Sequence, residues 1–348
     1  MSEKIKLGIT QGDINGIGLE VIIKTFADPT MLEICTPILF GSQKTYAFHR
    51  KSLNIETRFT PLRSLDQIAH KQFNIYNIYE EDVNIEFGQS TPLAGKYSLR
   101  SIEAATDALE QKKIDVLVTA PINKHNIHSE QFPFKGHTDY FEMRFKGNTL
   151  MLMCCDSFRV GIVTGHIPLA SVAGAITQEK IIQKAKQLHQ SLISDFAIRK
   201  PKIAVLGMNP HAGDSGVIGT EEQTVINPAI EKLKSEGLTV FGPYPADGFF
   251  GSAMHLKFDG VLAMYHDQGL TPFKALAFDN GVNYTAGLPV IRTSPDHGVG
   301  YDIAGKNKAS EESFRSAVYL ACDIYNTRRQ QKEIYANPLK ALSKSERE

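Results

Sequence analysis

Short, nearly continuous apolar runs, each ending in a glycine-rich turn that carries His, Asp, Asn or Lys, constrain this chain more than any other feature. The runs cover residues 6–10, 37–40, 116–120, 149–155, 159–164, 203–207 and 260–264. Helical patterns lie between and after them, at 101–111, 178–194, 221–236 and 310–328. A strand that is apolar on both sides has to be covered on both faces, which is the situation of a parallel sheet sandwiched by helices. The alternation therefore predicts an α/β fold with a mostly parallel sheet.

Composition excludes several other kinds of protein. The 348 residues are 42% hydrophobic and 22% charged, so a disordered or fibrous chain is ruled out. The 38 basic and 38 acidic side chains cancel, which leaves no electrostatic footprint for nucleic acid or a membrane surface. No apolar run approaches the ~18 residues a membrane span needs. The start, MSEKIKLGITQGD, has no apolar signal core, so a cytoplasmic location is expected. Cys35, Cys154, Cys155 and Cys322 form no CxxC pair and read as buried thiols. The last residues, SKSERE, read as a polar tail.

The polar residues gather in the turns that follow the apolar runs: TQGDINGIG (10–18), TAPINK (119–124), KGHTDYF (135–141), TGHIPLA (164–170), NPHAGDSG (209–216), YPADGFF (244–250) and YHDQG (265–269). Open α/β sheets bind ligands beyond the carboxyl ends of their strands, so such a chain looks like an enzyme with one composite site. His166, His211 and His266 each follow an apolar run, and all three can reach the same sheet edge. Three neutral imidazoles suit a divalent metal with an open position. The same residues are also compatible with three unrelated hydrogen-bonded histidines. Asp214, Asp247 and Asp267 lie beside these turns and are candidates for orienting a ligand or moving a proton. Asp247, before Gly248, fits a plain turn equally well. Lys274, Asn283 and Arg292 carry anion-binding chemistry, and Arg292 sits in the apolar context LPVIRTSP, where an unpaired guanidinium is costly. GxGxxG is absent. The loop HGVGYDIAGKN (297–307) has glycines that permit close backbone approach to a flat or phosphorylated ligand.

In chain order, GDINGIGLE, TAPINK, GHTDYF, TGHIPL, NPHAGDSG, YHDQGL and HGVGYDIAGK resemble the 4-hydroxythreonine-4-phosphate dehydrogenase family of vitamin B6 biosynthesis. The resemblance runs from residue 10 to about residue 310. It implies a two-lobe fold like that of isocitrate and isopropylmalate dehydrogenases, with the active site in the cleft between lobes and at a homodimer interface. Lobe 1 is expected over 1–125 plus 266–348, and lobe 2, with the metal histidines and dimer contacts, over 126–265. The resemblance further implies a divalent metal on His166, His211 and His266, with ligands from both subunits. Zinc is expected first, with magnesium and cobalt as alternatives. Substrate contacts are implied at His137, Thr138, Lys274, Asn283 and Arg292, and NAD near Gly298, Asp302 and Gly305. Asp247, Asp267 and Lys274 are the expected proton-transfer or supporting groups. The implied reaction is hydride transfer from C3 of a phosphorylated hydroxy amino acid to NAD, followed by loss of CO2. The sequence departs from the usual family pattern at Ile14, Asn15, Leu19, Val299 and Gly300. A paralogue acting on threonate or erythronate 4-phosphate remains open, as do a metal-dependent hydrolase or phosphate-acyl transferase and a phosphometabolite-binding protein without catalysis.

Overall fold

The computed structural model describes residues 4–336, so the polar tail lies outside the described residues. Among these residues, twelve strands form one sheet: β1 (Ile5–Thr10), β2 (Cys35–Gly41), β3 (Thr60–Leu62), β4 (Asn74–Asn77), β5 (Val116–Thr119), β6 (Leu150–Cys154), β7 (Arg159–Thr164), β8 (Lys202–Leu206), β9 (Thr239–Tyr244), β10 (Gly260–Tyr265), β11 (Val282–Ala286) and β12 (Arg292–Pro295). Their spatial order is β3-β4-β2-β1-β5-β12-β11-β6-β7-β10-β8-β9. Neighbours are parallel except at β12–β11, β11–β6 and β6–β7. Those reversals make β5 and β12 run opposite to β7, β10 and β8. The mostly parallel α/β expectation holds, with an antiparallel centre that the sequence did not reveal.

The apolar runs became strands because their side chains are buried on both sides; all seven residues of β2 are buried. The helix Gln178–Ser194 has the predicted bounds and is capped by Thr177, whose side chain accepts from the Lys180 amide. The helix predicted at 101–111 starts much earlier and spans Pro92–Glu110. Thr91 caps it and Pro92 occupies its first turn, a start signal that outweighs Gly95 in its interior. The region 221–236 is a π-helical turn, Glu222–Ile226, running into the helix Asn227–Ser235. The last helix runs to Ala336, beyond the predicted 328.

Two features of packing position the site. On one face of the sheet, a continuous core runs from Leu7 and Val118 through Tyr284 to Val205 and Leu262, covered by the helices Gln178–Ser194 and Glu312–Ala336. On the other face the core is divided. One cluster packs the helix Pro92–Glu110 and Phe141 against Ile38, Phe40 and Leu117, and a second packs Leu270 and Phe273 against Val160, Ile162 and Val261. The cavity described below lies at this division. The cysteines are free: Cys35, Cys154 and Cys322 are buried and Cys155 partly so. No described helix is long and apolar enough to cross a membrane.

The continuous face is tied by a buried polar knot. The Asp195 carboxyl, about 1% exposed, accepts from Arg328 Nε at 2.7 Å, the Tyr284 hydroxyl at 2.8 Å and the Ser191 hydroxyl at 2.7 Å. It joins β11 to the two helices that cover this face. Arg328→Ala leaves that carboxylate buried without its cation, and is expected to lower unfolding stability by about 2–4 kcal/mol in urea titrations.

Candidate active site

A cavity of about 250 Å³ opens over the divided face. Its wall takes Thr119 from β5, Arg292 and Ser294 from β12, Asn283 from β11 and Met151 from β6, together with Lys124, Lys135, His137, Thr138, Asp139, His166, Lys274, Asp296, His297 and Gly298. Arg292 and Ser294 alternate along one strand, so the cavity sits on a face of the sheet's middle, where its direction reverses. The turns after β5 and β12 approach it from one half of the sheet, and the turn after β7 from the other.

Arg292 is the dominant charge. It is 2% exposed, and its guanidinium donates to the Thr119 hydroxyl at 3.0 Å and the Thr285 hydroxyl at 3.1 Å, with Phe141 stacked 5.6 Å from it. No carboxylate among the described residues pairs with it. Burial pulls its pKa down to about 9, so it stays charged near neutrality. A buried cation satisfied only by hydroxyls is costly unless an anion completes it. Lys124, Lys135 and Lys274 add positive charge, while Lys274 is held 3.1 Å from Asp296. His137 opens the helix His137–Phe145. Burial, then Arg292 and Lys124, hold its pKa well below the usual range, so its ring is neutral. His137 Nε2, Asn283 Oδ1 and His297 Nε2 are buried without partners, and all three residues line the cavity. The five substrate contacts implied by the resemblance are thus together. Lys124, Lys135, Asp139, Asp296 and His297 join them without having been singled out, although each lies within or beside a quoted motif.

The histidine-bearing turns leave the same ends of three adjacent parallel strands, β7, β10 and β8. The Thr164 hydroxyl donates to the Met264 carbonyl at 2.8 Å, tying the turns of His166 and His266. These two rings stand 5.5 Å apart and tilted by 44°. Burial, then Lys124 and His266, lower the His166 pKa, favouring the neutral imidazole that a metal requires. His266 Nδ1 lies 2.6 Å from Asp267 Oδ1, which fixes the tautomer and leaves Nε2 free. His211 stands apart, exposed, in a turn where residues 211–215 all have positive φ. Each non-glycine residue in that conformation costs roughly 1 kcal/mol. Glu222 holds the turn by accepting the Met208 and Asn209 amides, both at 2.7 Å. Among the described residues no three His, Cys, Asp or Glu side chains are grouped to hold an ion. One chain therefore offers a pair of imidazoles that suit a divalent metal, but does not assemble the expected triad. Asp247 is exposed in the short helix Ala246–Gly251 and does not line the cavity.

The loop after β12 meets the cavity at Gly298, where an added Cβ would have open space around it, so a ligand can approach its backbone closely. Asp302 and Gly305 lie in the turn beyond. Gly305, with φ +72°, is required by packing, since a Cβ there would come within 2.6 Å of the Phe87 ring. Arg292→Ala should weaken a phosphomonoester or carboxylate ligand by about 10–100-fold in calorimetric titration, the scale of a lost charged hydrogen bond. In the parent chain the same affinity should fall as pH rises through about 9, because the protonated guanidinium is the form that binds the anion.

Residues 33–321 match the family model described as pyridoxal phosphate biosynthetic protein PdxA. The chain is 52% identical over 339 residues to a 4-hydroxythreonine-4-phosphate dehydrogenase from Bacteroides thetaiotaomicron, covering 97% of this chain and 93% of the relative. It is 35% identical to a putative D-threonate 4-phosphate dehydrogenase from Oceanobacillus iheyensis, covering 94% and 100%. Among solved structures, a 4-hydroxythreonine-4-phosphate dehydrogenase from Klebsiella pneumoniae superposes with a TM-score of 0.80 at 30% identity, covering 93% and 98%. An isocitrate dehydrogenase from Methylococcus capsulatus, with a TM-score of 0.50 at 10% identity over 94% of this chain and 89% of that one, shares the fold alone. With the family model matching most of its length and a relative 52% identical over nearly all of it, the chain belongs to the pyridoxal phosphate biosynthetic protein PdxA family, the family its motifs resemble.

Proposed function

We propose that this chain oxidises 4-hydroxythreonine 4-phosphate at C3 with NAD⁺. The β-keto acid so formed loses CO2, giving 3-amino-2-oxopropyl phosphate and NADH in pyridoxine 5′-phosphate biosynthesis. The observation that carries this reading is the buried, carboxylate-free Arg292 in a cavity shared with His137, Thr138, Lys274 and Asn283 and bordered by His166 and Gly298. When bound, NAD⁺ accepts the hydride, and a divalent metal, zinc or else magnesium or cobalt, supplies positive charge beside the reacting oxygen.

The chain's own residues bind and orient. Arg292, Asn283 and Lys274 take the phosphate or carboxylate, and His137 and Thr138 take the other end of the substrate. His166 and His266 hold the metal, and Asp267 keeps the His266 ring in the tautomer that exposes Nε2. His211 serves the metal of a neighbouring subunit. This is supported by its exposure and by the exposed apolar side chains Leu169 and Val217, 74% and 81% accessible, in the turns after His166 and His211. Gly298, Asp302 and Gly305 border the dinucleotide. The reading includes a cytoplasmic homodimer and lobes of 1–125 with 266–348 and of 126–265, so that the cavity draws residues from both.

NADH absorbance with 4-hydroxythreonine 4-phosphate should rise in the presence of Zn²⁺, Co²⁺ or Mg²⁺ and be abolished by a chelator. D-threonate 4-phosphate should turn over at least tenfold more slowly. Faster turnover of the threonate would move the assignment to that substrate. His166→Ala and His211→Ala should each be inactive alone. Mixed dimers refolded from both should regain about a quarter of the parent activity, because half the dimers then hold one intact site. No recovery would contradict a metal shared between subunits.

A further inference from the structure

Asp13 lies in the first glycine-rich turn, is 1% exposed, and among the described residues pairs with no cation. Its carboxyl instead accepts from the Asn15 amide at 2.9 Å, Asn126 Nδ2 at 2.8 Å and the Tyr301 hydroxyl at 2.7 Å. These donors come from three segments: the turn of Asp13 itself, the short helix Lys124–Ile127 and the turn after β12. Asn126 follows the segment 119–122 and Lys124, which line the cavity, and Tyr301 follows Gly298 in the loop after β12. The Tyr301 hydroxyl also accepts from Asn123 Nδ2 at 3.2 Å and Asn126 Nδ2 at 3.3 Å. The backbone reinforces the junction: the Asp13 amide donates to the Pro121 carbonyl at 3.0 Å and the Ile17 amide to the Val299 carbonyl at 2.9 Å. Burial, then Asp13 itself, push the Tyr301 pKa up to about 12, so the phenol remains a donor. Five side-chain hydrogen bonds meeting at two residues are more than a surface loop needs merely to stay folded.

We infer that Asp13 and Tyr301 form a latch that fixes the 297–307 loop against the substrate cavity, making Tyr301 a positioning residue for the dinucleotide. The inference rests on the NAD reading above and goes beyond it by naming what sets the distance between the two ligands. Neither side chain is required to touch the cofactor. The phenol bridges the segment 119–126 to the loop that carries Gly298, so losing its hydroxyl loosens the loop, which the Ile17–Val299 backbone bond still anchors, and leaves the anion contacts of Arg292 in place.

The test is Tyr301→Phe in the full chain, which keeps the ring and removes one oxygen. NADH binding is read by fluorescence titration, and binding of 4-hydroxythreonine 4-phosphate by calorimetry. The latch predicts an NADH dissociation constant raised about tenfold, substrate affinity within about twofold, and a melting temperature within a few degrees of the parent. The KM for NAD⁺ should rise more than kcat falls. Asp13→Asn should reproduce the NADH defect, with a larger loss of thermal stability. Unchanged NADH binding in Tyr301→Phe would overturn the latch, as would equal loss of both ligands with a large drop in melting temperature. A parent chain that fails to bind NADH overturns the cofactor reading and the latch together.

Discussion

The site depends on an apolar core that is continuous on one face of the sheet and interrupted on the other. Where it is interrupted, Arg292 enters a position that would otherwise hold an aliphatic side chain. Hydroxyls of Thr119 and Thr285 satisfy part of its hydrogen-bonding capacity without neutralising it. The desolvation cost of that cation is borne by the packing of the whole sheet, and it leaves a fixed positive charge inside a small cavity. Everything else in the site is arranged around that charge, including the neutral His137 ring beside it and Lys274, whose own charge is drawn toward Asp296.

The sheet's reversal explains how two sets of loops meet there. β5 and β12 run one way and β7, β10 and β8 the other, with β11 and β6 as the antiparallel joints. Arg292 and Asn283 come from the first set and the joints, while His166, His211 and His266 come from the second, as does Lys274 in the helix after β10. Because β7, β10 and β8 are neighbours, the three histidine turns start side by side. His211, in the left-handed turn at 211–215, is exposed and is not grouped with the His166–His266 pair into a three-residue cluster. Strain held in place by a buried carboxylate, Glu222, at a residue with metal-binding chemistry points to function more than to packing.

Much of this was legible in the sequence, and the exceptions have physical causes. The continuous apolar runs gave β1, β2, β5, β6, β7, β8 and β10 to within a residue or two, because burial on both faces leaves an unmistakable pattern. β3, β4, β9, β11 and β12 escaped detection; in the last two, VNYTA and RTSP carry the polar side chains of the site, so their function hides their secondary structure. The helix starts at Pro92, nine residues before the predicted 101, although Thr91 and Pro92 spell a start signal. Lys274, Asn283 and Arg292 stand out by their anion-binding chemistry, His137 and Thr138 only through the family resemblance, and one cavity is lined by all five. Asp247, singled out for lying beside the histidine-bearing turns, is exposed in the short helix Ala246–Gly251, outside the cavity wall. Nothing in the sequence disclosed the Asp13–Tyr301 contact, since 288 residues separate the partners.

The most direct test is a crystal structure of the chain with 4-hydroxythreonine 4-phosphate bound. The account predicts an anionic group of the ligand on the Arg292 guanidinium, within reach of Asn283 and Lys274, and the C3 oxygen turned toward the His166–His266 pair. A ligand seated elsewhere, or Arg292 neutralised by a protein carboxylate with no ligand contact, would contradict it.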